Sequence, residues 1–186
     1  MSDVRKLQYL LRLKETERIC LVSSGPEHTR HESVAEHIYG CFILAAYFLA
    51  QENFQNIDKR KVFELLLFHD MPEIETGDIS CYQKTNEDNN RELEAVVDVT
   101  RNIPSSLTHS FSSAYQEYVR QETLEAKFCK AIDKLEPVIQ TIDRRAYCIS
   151  MGGTEQITHE MKAPYIRLFP EIYKVYEEAM HILFRE

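Results

Sequence analysis

No tryptophan occurs in this chain, and the residues that interrupt regular structure are scarce: 5 glycines and 6 prolines in 186 residues. With so few breakers between long stretches rich in Leu, Ala, Glu and Lys, an all-α fold is expected. No apolar run reaches the roughly 18 residues that a membrane span needs, so no span is expected. The opening residues Met1-Ser2-Asp3-Val4-Arg5-Lys6 lack the apolar core of a secretion signal. CxxC pairs are also missing. Cys20, Cys41, Cys81, Cys129 and Cys148 are irregularly spaced. They read as reduced, mostly buried thiols of a cytoplasmic protein, not as a disulfide framework or a zinc knuckle. Positive charge is not in excess either. A formal net charge of −8 leaves no basic face for nucleic acid. A small anionic substrate stays compatible, because a few arginines can act locally inside an acidic protein.

What is present suits one domain over residues 1–186, long enough to bury a core without staples. The pattern predicts a helix over residues 3–18 with Val4, Leu7, Leu10, Leu11 and Leu13 on its apolar side. A loop should follow at Ser23-Ser24-Gly25-Pro26. Ser33 with Glu36 three residues on forms a capping box for a helix over 34–50. That helix is apolar nearly all round after Gly40, so it should be the central buried one. Asp58 should cap a third helix to residue 71. Residues 86–101 read as an outer helix with Leu93, Val96, Val97 and Thr100 inward, and Pro104 opens another. A long helix over 122–149 buries Phe128, Ala131, Ile132, Leu135, Val138, Ile139 and Ile142, with Pro137 loosening it beside Asp133. A last amphipathic helix covers 170–184.

The chain is organised around Leu65-Leu66-Leu67-Phe68-His69-Asp70-Met71-Pro72-Glu73, with Thr76-Gly77-Asp78 just after. An apolar helix runs into His-Asp and is stopped by Pro72. Buried charges are paired or bound to metal. A helix ending at that point lets His69 and Asp70 converge on one cation. Adding His37 and Asp133, each inside an otherwise apolar helix, gives two imidazoles and two carboxylates. That mixed set suits one divalent ion of the Mn, Fe, Co or Zn kind, or Mg, with positions open to water. Singly, each residue has a plainer reading. His37 could be a core histidine, and Asp133 a partner of Lys130 or Lys134. Arg18 could be an end-of-helix cation, Glu73 a cap, and His28 and His31 surface residues.

Four stretches together resemble the HD-domain superfamily of metal-dependent phosphohydrolases, closest to its 5'-deoxynucleotidase group, over about residues 5–145. They are Arg12-Leu13-Lys14 with Arg18; Arg30-His31-Glu32-Ser33-Val34-Ala35-Glu36-His37; His69-Asp70-Met71-Pro72-Glu73 with Thr76-Gly77-Asp78; and Ala131-Ile132-Asp133-Lys134-Leu135-Glu136. The resemblance implies a helical bundle with a metal site between helices and further helices over 154–186 packed on it. It implies His37, His69, Asp70 and Asp133 as ligands of one metal, and Glu73 as the acid–base group. Arg18 would sit on the substrate phosphate, and Asp78 would position water. The implied reaction is release of phosphate from a nucleoside or deoxynucleoside 5'-monophosphate, by a homodimer. Other phosphate esters, or a non-catalytic nucleotide-binding regulator, are the alternatives. At the position where that group carries a Trp linked to 2'-deoxyribose, this chain has Ile19, which bears on the sugar and not on the chemistry.

Overall fold

The structure is a computed structural model, and it describes residues 1–25, 28–80, 82 and 85–185, with the side chains at 24, 25, 28, 86 and 89 left aside. Pro26, Cys81 and the side chain of His28, all singled out from the sequence, lie outside the described residues. Helices dominate, as expected. They are α1 (Asp3–Leu10), α2 (Val34–Leu49), α3 (Lys59–Phe68), α4 (Glu73–Thr76), α5 (Asn86–Asn102), α6 (Ser105–Arg120), α7 (Leu124–Gln140), α8 (Arg145–Ser150), α9 (Glu155–Ile166) and α10 (Pro170–Arg185).

The first departure from expectation follows α1. That helix stops at Leu10, tightens through a 3₁₀ turn (Leu11–Lys14), and gives way to β1 (Glu17–Gly25), paired antiparallel with β2 (His28–Ser33). Ile19, Leu21 and Val22 favour extended backbone, and the pairing satisfies what a helix would otherwise bond. Arg18 is therefore a strand residue, which removes its reading as a helix-end cation. Ser23 to Gly25, expected in a loop, complete β1. In α1 only Tyr9 is buried, with Leu13 just beyond it, while Val4, Leu7 and Leu11 are exposed.

α2 starts where the capping box places it. Ser33 Oγ accepts from Glu36 N–H, and the Glu36 carboxylate accepts from Ser33 N–H. Loss of such a cap costs about 1 kcal/mol. Ser33→Ala is therefore expected to lower the thermal midpoint by about 2–4 °C, read by circular dichroism, at this chain length. The helix is not buried all round, however. Tyr39, Ile43 and Tyr47, spaced four apart, stand exposed at 65%, 52% and 59%.

The central position belongs to α7 instead. It packs against α2, α3, α6, α9, α10 and β1, and buries Phe128, Ala131, Ile132, Leu135 and Val138. α7 runs through Pro137 and ends at Gln140, short of the expected 149. At the stop the Thr141 hydroxyl donates to the Pro137 carbonyl (2.7 Å), taking up a helix-end acceptor. α8 is a separate turn. In α5 the buried side is Ala95 and Val99, while Leu93 and Val97 point to solvent. One apolar cluster extends from Tyr9 on α1 to Phe184 on α10.

Candidate functional site

α3 ends at Phe68 and the chain tightens into three-residue turns: Met71 N–H donates to Phe68 O, and Glu73 N–H to Asp70 O. This brings His69 and Asp70, which a continuing helix would turn about 100° apart, to the same side. His69 Nδ1 lies 2.8 Å from the Leu66 carbonyl. The carbonyl can only accept, so Nδ1 carries a proton and Nε2 is the nitrogen turned toward Asp70. From α2, His37 Nε2 reaches 3.6 Å from Asp70 Oδ2 and 3.4 Å from Asp133 Oδ1 of α7. His69 Nε2 and Asp70 Oδ2 are 3.1 Å apart. The structure thus brings His37, His69, Asp70 and Asp133 together from three helices.

The donor set fits a divalent ion. At bonds of about 2.0–2.2 Å, neighbouring ligand atoms of a tetrahedral or octahedral ion stand roughly 3–3.5 Å apart, close to the spacings found. The buried atoms His69 Nε2, Asp70 Oδ2 and Glu73 Oε2 have no hydrogen-bond partner among the described residues. Unsatisfied buried polar atoms are costly, and three in one spot point to an absent partner. Cys41 Sγ, 3.6 Å from His37 Nε2, is the nearest thiol.

Charge is concentrated around this centre. Asp133 Oδ2 accepts from Tyr118 Oη (2.7 Å) and pairs with Lys130 Nζ (3.1 Å) and Lys134 Nζ (3.2 Å). Burial would push the Asp133 carboxyl up, but the two lysines hold it well below the ordinary carboxylate range. The plainer reading of Asp133 as a lysine partner is thus also true: one oxygen meets the lysines and the other faces His37. Burial, with the charges of Asp70 and Asp78, raises the Glu73 carboxyl well above its ordinary value. Glu73 is therefore suited to holding a proton.

Arg18 is buried. Its Nε donates to Glu32 Oε1 (3.0 Å), and Nη1 lies 3.3 Å from Asp78 Oδ1 and 3.7 Å from Asp70 Oδ2. Asp78 is tied to β1 by accepting from Ile19 N–H (3.4 Å), and Tyr147 Oη donates to the Ile19 carbonyl. His31 is exposed, as the sequence suggested.

A cavity of about 420 Å³ opens beside the centre, within the size range of small-molecule sites. Arg18, Ile19, His69, Asp70, Glu73, Asp78 and Asp133 all line it; His37 sits behind, fully buried. Lys130, Lys134, Tyr118 and Lys162 line it too. Sequence reasoning gave none of these a place in the site. Lys130 and Lys134 were signalled only by their positions three before and one after Asp133. Nothing in the sequence marks Tyr118 or Lys162.

Comparisons with known proteins identify the family. A model of the HD domain family matches residues 10–172. The 5'-deoxynucleotidase hdd1 of Schizosaccharomyces pombe is 34% identical over 149 residues, covering 77% of this chain and 72% of that protein. The human 5'-deoxynucleotidase HDDC2 is 32% identical over 113 residues, 60% of this chain, and the match spans about half (53%) of the human protein. Among solved structures, a protein of Magnetospirillum magnetotacticum described as a predicted metal-dependent phosphohydrolase superposes with a TM-score of 0.76 at 22% identity, over 97% of this chain and 95% of that one. At that identity the likeness speaks for the fold. With the profile match over most of its length and a relative above 30% identity, the chain belongs to the HD domain family, in the branch that includes these 5'-deoxynucleotidases.

Proposed function

We propose that this protein is a metal-dependent phosphomonoesterase that releases inorganic phosphate from nucleoside 5'-monophosphates, those of deoxynucleosides included. The observation that carries this is the approach of His37 Nε2 to Asp70 and Asp133 and of His69 Nε2 to Asp70, at 3.1–3.6 Å, beside a cavity that also presents Glu73 and Arg18. The activity named for the relatives supports the substrate class. A divalent ion held by the four side chains would supply Lewis acidity, polarising phosphoryl oxygens and making water more acidic.

The other roles fall to the chain's own groups. Arg18, with Lys130 and Lys134, faces the phosphate and offsets its charge. Glu73 manages the proton at its unpartnered Oε2. As water oxygen bonds to phosphorus and the bond from phosphorus to the sugar oxygen breaks, one proton leaves the water and one reaches the departing 5'-oxygen. Asp78, bonded to both Arg18 and the Ile19 amide, holds Arg18 and positions water. Ile19 sits on the cavity wall where the deoxynucleotidases carry Trp, so the sugar is met by a smaller apolar surface.

Residues 1–186 act in this reading as one unit, supported by the apolar cluster shared from α1 to α10. The exposed Tyr39–Ile43–Tyr47 stripe supports a homodimer, and the buried thiols Cys20, Cys41 and Cys129 fit a cytoplasmic location. Among the described residues no helix is long and apolar enough to cross a membrane. The test is a panel of ribo- and deoxyribonucleoside 5'-monophosphates and triphosphates assayed with Mn, Co, Mg and Zn after chelation. Phosphate release from monophosphates is expected. Pyrophosphate release from triphosphates alone would move the assignment to another phosphate ester, and no turnover with bound nucleotide would make the protein a regulator.

A further inference from the structure

One turn of α7 brackets the imidazole of His37. Asp133 stands on its Nε2 side, and Glu136, three residues on, places Oε2 2.7 Å from Nδ1. Both partners are out of solvent: the His37 side chain is 0% exposed and that of Glu136 7%. A carboxylate can only accept from Nδ1, so Nδ1 carries a proton and Nε2 is turned toward Asp70 and Asp133. His69 obtains the same orientation from a backbone carbonyl, whereas His37 depends on a side chain from another helix.

That side chain needs room, and α2 provides it one turn after His37. A Cβ on Gly40 would lie 2.5 Å from Glu136 Oε1 and 3.1 Å from Cδ and Cγ. Real Cβ atoms do not approach so closely, so any residue larger than glycine must displace the carboxylate. Glycine in mid-helix costs roughly 0.5–1 kcal/mol relative to alanine, so helix propensity does not account for it. Glu32, a further buried acid within 4.8 Å of His37, is engaged with Arg18.

We propose that Gly40 and Glu136 form a positioning pair: Gly40 leaves the space, and Glu136 fixes the tautomer and orientation of His37 for the cation. The consequence for the cation rests on the metal reading above; the hold on His37 does not. Outer carboxylates on metal-bound histidines are worth 10–100-fold in metal affinity.

Two measurements on the full-length protein test it. In the metal-free protein, a slowly exchanging downfield His37 Nδ1–H proton signal is expected by NMR, and it should vanish in Glu136→Ala; a wild-type protein without it overturns the proposal. Cobalt and zinc affinities are then read by chelator competition, with thermal midpoints showing that each variant is folded. Glu136→Ala and Gly40→Ala should each weaken binding 10–100-fold, and Glu136→Gln, which keeps an acceptor, should recover part of the loss. Adding Gly40→Ala to Glu136→Ala should cost less than a further twofold, because the group it displaces is gone. Unchanged affinity in either single variant, or additive losses in the double variant, overturns the pair. A wild-type protein that shows the proton but binds no metal would instead overturn the metal reading and leave the hold on His37 standing.

Discussion

His69→Ala is expected to leave the protein without stoichiometric metal and to reduce phosphate release by about a thousandfold or more. The His69 side chain is out of solvent, its Nδ1 is committed to the Leu66 carbonyl, and its Nε2, 3.1 Å from Asp70 Oδ2, has no hydrogen-bond partner among the described residues. Alanine removes the imidazole nitrogen that the end of α3 brings to the centre beside Asp70. It also strips Asp70 of the neighbour that, against burial, holds its carboxyl below the ordinary range. Lewis-acid chemistry is worth several kcal/mol of barrier, and each 1.36 kcal/mol is tenfold in rate, which sets the expected loss. Metal content by elemental analysis after gel filtration, with phosphate release on the same sample, checks both parts. Metal retained in full would remove His69 from the ligand set.

Glu73→Gln should behave in the opposite way toward metal: content unchanged, turnover down by about 10²–10⁴-fold, the usual worth of general acid–base catalysis. Glu73 follows Asp70 by three residues, at the start of α4. Its carboxyl is raised by burial first, and then by Asp70 and Asp78, which favours holding a proton over balancing a cation's charge. Glutamine keeps shape and volume but can neither take nor give the proton. The loss should therefore appear in kcat, with KM for the nucleotide changed little. Wild-type turnover in this variant would take Glu73 out of the mechanism. Loss of metal would instead make it a ligand.

Local chemistry explains which parts of the molecule were readable beforehand. The Ser33–Glu36 cap and the Asp58 cap depend on residues within a few positions of one another, and both form as the sequence reads, whereas α3 stops at Phe68, short of the expected residue 71, because the chain tightens into turns there. The β1–β2 hairpin was missed because Arg12, Lys14 and Arg18 look like the end of a basic helix. Only pairing with His28–Ser33 makes the extended form of Glu17–Gly25 the better one. Similarly, the all-round apolarity of α2 reads as burial, yet Tyr39, Ile43 and Tyr47 face outward because α7 covers only one side.

By itself the sequence determined a helical protein, the caps of α2 and α3, and the residues that could share one cation. Those are set by composition and by contacts between near neighbours along the chain. Tertiary structure alone decided that α7 is the axis, that Asp133 gives one oxygen to Tyr118 and the lysines and the other to His37, and that Arg18 is clamped between Glu32 and Asp78. It also decided that Glu136 meets His37 across Gly40. Each of these joins groups up to 99 residues apart, and their meeting follows from how apolar faces pack, which no local pattern encodes.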